Sequence, residues 1–561
     1  MSVPTKLILK QDAFGGFFAT RTGKEAHRYI IREWKYVDYH KGWQNSMKIK
    51  NPIIPGFSPD AGACQVGEDY YIATSTFEWW PGICIYHSRD LANWDPVSRP
   101  VTMTFYGVES SGGLWAPHLS WADGKFWLAI TGVYTRTGFK DTLNYLTVCE
   151  TIDGNWTEPI YINSSGFDPA LFHDDDGRKY FLNMLWDYRP GHAGFAGIVM
   201  RELDPATMKL TGEQKKIFEV TGLGVAEGPQ ILKKDGWYYL LTAAGGTGYK
   251  HAAVAARSQS VWGPYEISPH HPLLTSAPYP DNPLQKAGHA SFIHKNGDWY
   301  ITHICARPLT MRGNCPLGRE TALQKITWMD GWPRLDNGGN EPSLEVEISA
   351  DAIQKTNHSK CTDFDDKELP DWFQTLRGPV GDAMTLTERP GRLRLYGRES
   401  LASLHRQALV AARWQSVHFR AETALEFIPK SFRQTAGLVC IYNTENWMYA
   451  HLTGEKDTPV LNVLICDNKK LTYAVEGVTV PSGIPLYLAV EVHRETLRFF
   501  YSTNSTEWQP LGGKLPAEHL SDDYIEKNGL VFTGAFVGIC CQDLDDRTVF
   551  ADFDFFAYQE M

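Results

Sequence analysis

One pattern constrains this chain more than any other: a glycine-containing turn followed by an aromatic-rich strand, five times over. The copies are GEDYYIA (67–73), DGKFWLAI (123–130), DGRKYFL (176–182), DGWYYLL (235–241) and NGDWYIT (296–302). Their turn glycines, Gly67, Gly124, Gly177, Gly236 and Gly297, lie 57, 53, 59 and 61 residues apart. Asp-Gly and Asn-Gly before alternating aromatics are strong hairpin signals. A polar turn with a Trp follows three copies, as HSRDLANW (87–94), CETIDGNW (149–156) and ARSQSVWGP (256–264). A long period built only of strands predicts the blades of a β-propeller, and five copies predict five blades. The competing reading is a run of meanders that never closes.

Near residue 340 the repeat stops. SLEVEISADA (343–352) ends it, and a polar stretch around 353–361 reads as a linker. DWFQTLR (371–377), GLVCIYN (437–443), LYLAVEV (486–492) and TLRFFYS (496–502) then alternate apolar and polar residues. That predicts a β-sandwich. The expected fold class is all-β: a five-bladed β-propeller over 47–352, then a jelly-roll or concanavalin-like sandwich over 353–561. Residues 1–46 stand apart, with eight Lys/Arg against four Asp/Glu in a chain of net charge −11. They are read as an N-terminal extension of unknown role.

The acidic balance leaves no footprint for nucleic acid. No apolar run approaches the ~18 residues of a membrane span, so no membrane partner is expected. No secretory signal is evident at the start. Ten cysteines without a C-x-x-C read as scattered reduced thiols, which predicts a cytoplasmic protein.

In a propeller each inner strand starts at one mouth of the ring. The segments ahead of the five turns are GFSPDAG (56–62), WAPHLSW (115–121), GFDPALF (166–172), VAEGPQI (225–231) and GHASFIH (288–294). They bring Asp60, Asp168, Glu227 and His289 to matched repeat positions, which converge on the axis. Singly, each reads as structural, because Asp-Pro and Pro-Asp-Ala-Gly are ordinary turn sequences. Together they imply crowded like charge, which is costly and is kept at functional sites. Paired carboxylates suit cleavage of a glycosidic bond, one ionised to activate water and the other protonated to donate to the leaving oxygen. Phe77, Trp115 and Trp186 border the same mouth and offer flat faces to a sugar. Inter-blade packing is the plainer role for each.

NPIIPGFSPDAGACQVGEDYYIATSTFEWWPGICIYHSRDL (51–91) resembles the opening of glycoside hydrolase family 43 β-xylosidases. So do GGLWAP (112–117), GFDPALFHDDDGRKYFLNMLWD (166–187), AEGPQI (226–231), GHASF (288–292) and CPLGRETALQK (315–325). The resemblance extends from about residue 47 to 561 and points to the branch with a C-terminal sandwich. It implies Asp60 as general base, Glu227 as general acid and Asp168 as the carboxylate that modulates and orients the acid. It implies substrate contacts from His289, Arg319, Phe77, Trp115, Trp186 and Thr247. It also implies that Phe536, in FTGAFVG (532–538), reaches from the sandwich to close the pocket.

The implied activity is exo-acting release of xylose from β-1,4-xylooligosaccharides with inversion, and with side activity on α-L-arabinofuranosides. Inversion places the two carboxyls roughly 6.5–9.5 Å apart, against about 5–5.5 Å for retention. The resemblance further implies a dimer or tetramer. It brings no required cofactor, and leaves room for a calcium ion near the axis beside His289. His118, Gln230 and the sequence Pro59-Asp60-Ala61-Gly62 depart from the family pattern without removing a catalytic carboxylate. A dedicated α-L-arabinofuranosidase and a non-catalytic carbohydrate-binding propeller are the alternatives.

Overall fold

A computed structural model describes residues 8–11, 17–20, 46–135, 138–219, 222–350, 352–455 and 458–561. Of the N-terminal extension it shows a short hairpin, Ile8–Gln11 with Phe17–Thr20. Apart from Ser46, the rest of that extension lies outside the described residues.

Five antiparallel sheets follow, each a four-stranded meander, with a fifth short strand, Leu274–Thr275, added to the fourth. Their inner strands are Gly62–Val66, Gly113–Ala122, Gly166–His173, Ala226–Lys234 and Gln285–Lys295, taken here as blades 1 to 5. Each inner strand touches the next, and that of blade 5 touches that of blade 1. The ring therefore closes, and the open-meander reading falls. The hairpins form as their residues dictate. Asp123-Gly124, Asp235-Gly236 and Asn296-Gly297 all take positive φ, as a two-residue I′ turn requires. The second strands are buried on both faces because blades stack face to face. Phe126, Trp127, Leu128, Ala129 and Ile130 are all buried in succession. That is why these strands read as apolar runs and not as clean alternation.

Ser46–Lys50 pairs with Glu345–Ser349, so the two ends of the propeller are stitched together. Asn51 reinforces the seam by donating to the carbonyls of Leu323 (2.8 Å) and Ser343 (3.0 Å).

The C-terminal part is a sandwich of an eight-stranded and a six-stranded sheet. Inward residues of both, among them Leu393, Val410, Phe419, Leu438, Val490 and Phe553, form one core. The outer face of the six-stranded sheet lies on the propeller, where Ala411, Ile441 and Phe536 pack with Phe57 and Trp79. Thr375–Leu376 pairs with Trp79–Trp80 across the junction. The buried Arg413 guanidinium donates to the Phe57 carbonyl and the Tyr86 hydroxyl, both at 2.6 Å. No helix among the described residues is long and apolar enough to cross a membrane.

Candidate active site

Every inner strand carries the same irregularity. Two of its residues stand opposite one on the neighbouring strand: Ala116–Pro117, Asp168–Pro169, Gly228–Pro229 and His289–Ala290 in blades 2 to 5. In blade 1, Asp60–Ala61 take the same place between the Ser75–Pro59 hydrogen bond and the Gly62–Ala73 pair. Such bulges re-aim a side chain. Asp60, Asp168, Gly228 and His289 all have φ between 51° and 61°. For the three non-glycine residues this is a strained conformation, of the kind that collects at functional sites.

The repeat register corrects one expectation. Asp60, Asp168 and His289 are equivalent, but Glu227 lies one residue earlier, where Trp115 and Phe167 stand in their blades. The equivalent position in blade 4 is Gly228. A Cβ there would sit 2.8 Å from the His289 ring, so glycine makes room for the histidine.

These residues surround a cavity of about 290 Å³. It sits at the small end of ligand pockets (about 300–1,000 Å³), which suits a small terminal group and not a long chain. Asp60, Asp168, Glu227, Phe77, Trp115, Trp186, Thr247, His289 and Arg319 all line it.

The three carboxylates are buried yet held differently. Asp60 accepts from Ser75 Oγ (2.5 Å) and from Arg319 (2.9 Å), with His289 Nδ1 3.7 Å away. Burial pushes its pKa up, but Arg319, His289 and Ser75 outweigh burial and hold it below the ordinary value. Asp168 accepts from the Gly228 N–H (3.0 Å). Burial, then Glu227 and Asp60, lift it well above the ordinary range. Burial and the Asp60 charge push Glu227 up to about 7. Asp60 is thus ionised at neutral pH, while Asp168 and Glu227 are neighbours that resist losing both protons.

Residues 49–333 match glycosyl hydrolases family 43. Residues 361–559 match the beta xylosidase C-terminal concanavalin A-like domain. The chain belongs to glycosyl hydrolase family 43. It is 48% identical over 534 residues to a beta-xylosidase of Bacillus subtilis (strain 168), covering 92% of this chain and all of that one. It is 45% identical over 529 residues to a xylosidase/arabinosidase 43B of Humicola insolens, covering 91% of this chain and 98% of that one. A crystal structure of xylan beta-1,4-xylosidase from Bacillus halodurans C-125 superposes with a TM-score of 0.89 at 47% identity, covering 91% of this chain and all of that one.

In this family 43 enzyme Phe536 does not close the pocket. It is fully buried in the sandwich strand Phe536–Asp543, stacked on Trp79 with ring centroids 3.6 Å apart. The sandwich residues that reach the cavity are Leu530 and Phe532. Phe532 sits edge-on to Trp115 at 5.4 Å and 5.7 Å from Phe77, and its carbonyl accepts from Arg319 (3.3 Å). Both aromatics of FTGAFVG lie in one short motif. Only the start of the strand, which sequence does not mark, tells which one faces the cavity.

Lys140 and His251 were not foreseen either. The Lys140 ammonium lies 4.0 Å over the Trp186 ring. His251 Nδ1 donates to the Lys286 carbonyl (3.0 Å), while the buried Nε2 finds no partner among the described residues. Neither residue sits in a repeat-matched segment. His118 and Gln230 do not line the cavity. His118 Nδ1 accepts from the Leu171 N–H (3.4 Å) and Gln230 accepts from Ser291 Oγ, so both join adjacent blades.

The surroundings of His289 do not suit calcium, which seeks six to eight oxygens. Asp60, the carboxylate next to it, is taken up by a guanidinium, and His251 and His289 offer nitrogens.

Proposed function

We propose that this enzyme is an inverting, exo-acting β-xylosidase that removes xylose from the non-reducing ends of β-1,4-xylooligosaccharides, with side activity on α-L-arabinofuranosides. Asp60 acts as general base, Glu227 as general acid, and Asp168 modulates and orients the acid. The observation that carries this reading is the division of the buried carboxylates. Arg319 and Ser75 keep Asp60 charged, while burial keeps Glu227 poised near neutrality. Single displacement needs that asymmetry: a charged base to take a proton from water and a protonated acid for the leaving oxygen.

The remaining groups position the sugar. Trp115 and Phe77 give it apolar walls, and Arg319 and His289 offer hydrogen bonds to hydroxyls. Phe532 and Leu530 narrow the cavity and favour a chain end. The proposal includes a cytoplasmic enzyme, supported by ten free cysteines, nine of them buried. It also includes a homodimer or homotetramer. Phe432, Leu471 and Leu544 support that part, as exposed apolar residues clustered round one hollow of the sandwich. Light scattering on the purified chain tests it.

The deciding experiment follows xylobiose hydrolysis by NMR in the wild type and in Asp60→Ala. Initial release of α-xylose, abolished in the variant, is the expected result. Initial β-xylose overturns inversion. Turnover of an arabinofuranoside without xylobiose turnover moves the substrate to the arabinosides.

A further inference from the structure

The inner strand of blade 5 carries a second bulge. Lys286 and Ala287 stand opposite Cys305 alone, and Lys286 has φ 55°. The bulge turns the buried Lys286 toward the sandwich. Its ammonium lies 2.7 Å from Asp522 Oδ2 and 3.0 Å from Asp523 Oδ1. The other oxygen of each aspartate accepts from the Cys315 N–H, at 3.2 and 3.1 Å. Burial alone would discharge the lysine, but Asp522 and Asp523 hold its pKa above the ordinary value.

The two aspartates open a single helical turn, Asp522–Ile525. From there the chain runs on to Leu530 and Phe532 at the cavity. At the far end it is pinned again, by the Ala535 N–H donating to the Pro316 carbonyl (2.7 Å). In between, Ser111 Oγ donates to the Leu530 carbonyl (3.2 Å) and accepts from the Phe532 N–H (3.0 Å). Lys286 also faces the site through its backbone, since its carbonyl receives the His251 hydrogen bond.

Adhesion between the domains does not require this ion cluster. The apolar contact of Phe57, Trp79 and Phe536 supplies it. A buried lysine between two carboxylates is a poor source of stability compared with apolar packing, and its best-attested use is to fix register. Here it stands at the point from which the pocket roof springs.

We propose that Lys286 is a positioning residue, whose ammonium seats the sandwich segment so that Leu530 and Phe532 close over the terminal sugar. This rests on the xylosidase reading above for its substrate, and on the cluster's geometry for its mechanism. Loss of the seat loosens the roof and weakens sugar binding, leaving the three carboxylates in place.

The test compares full-length wild type with Lys286→Met/Asp522→Asn/Asp523→Asn, which removes all three charges together. Asp523→Asn alone serves as a milder variant, and Lys286→Arg as the conservative one. Kinetics on xylobiose, the pH profile, and hydrogen exchange over residues 526–533 are read in each. The expected result for the triple variant is a KM raised about tenfold with a smaller fall in kcat. Roof amides exchange faster, and the limbs of the pH profile stay in place. Asp523→Asn shows the same trend and Lys286→Arg falls closer to wild type. Wild-type KM and wild-type roof protection in a folded variant overturn the proposal. So do displaced pH limbs with unchanged roof exchange, which would mean that Lys286 acts on the carboxylates by charge. Failure of wild type to cleave xylobiose would strike the substrate reading instead, and roof exchange in the same variants would still decide this one.

Discussion

Arg319 donates to Oδ1 of Asp60 across 2.9 Å, joining the last blade to the first inside the cavity. One contact therefore both links these two blades and sets the charge of the base. The guanidinium outweighs the burial that would otherwise protonate Asp60.

Arg319→Gln is expected to raise the pKa of Asp60, so the acid limb of kcat/KM moves to higher pH. Sign follows from linkage. A carboxylate held below its ordinary value adds stability that is full above that value and lost as pH falls through the native one. The variant forfeits this contribution, and leaving a buried carboxylate unpaired costs about 3–5 kcal/mol. Chemical denaturation at neutral pH and a pH–rate profile check both effects. An unmoved acid limb would refute the assigned role of Arg319.

Glu227, pushed up to about 7, works in its protonated form. The rate is therefore expected to fall as pH rises through about 7. Because Asp168 and Glu227 titrate as a pair, Asp168→Asn removes their mutual repulsion and moves the basic limb to lower pH. The same change is expected to lower kcat by about 10²-fold, within the range of general acid–base effects. A basic limb that stays where it was would separate Asp168 from the acid.

The architecture was legible because its signals are local. Each D-G or N-G pair sets its own hairpin, and recurrence of the hairpin at one period implies the ring. Asp60, Asp168 and His289 were legible for the same reason, as recurring positions ahead of a recurring turn. Glu227 stands one residue ahead of the bulge that Gly228 and Pro229 form, and the position of a bulge leaves no mark in the sequence. Lys140 and His251 sit in the loops that lead into Thr142–Cys149 and Ala252–Ser258, and Phe532 comes from the other domain. Their approach to the cavity depends on how blades and sandwich pack, which no short-range pattern encodes.

Calcium is expected to be dispensable. The cation beside Asp60 is Arg319, and the only described trio of metal-ligating side chains, Cys315, Asp522 and Asp523, has the Lys286 ammonium seated against it. Dialysis against a chelator should leave kcat/KM on xylobiose unchanged. Loss of rate restored by added calcium would overturn this.

Phe532 and Phe536 are four residues apart and are expected to fail in opposite ways. Phe532 is partly exposed at the cavity, touching Trp115 and Phe77. Phe532→Ala should raise KM for xylobiose about tenfold or more and barely change the melting temperature, because it removes contact with the sugar and little core. Phe536 is fully buried between Trp79 and Phe57. Phe536→Ala should destabilise the protein by about 3–5 kcal/mol, the usual cost of emptying a buried aromatic site. At temperatures where the variant stays folded, its KM should remain near wild type. Steady-state kinetics and thermal unfolding of the two variants, run side by side, separate a pocket wall from a domain-interface core. The reverse pattern would return the closing role to Phe536.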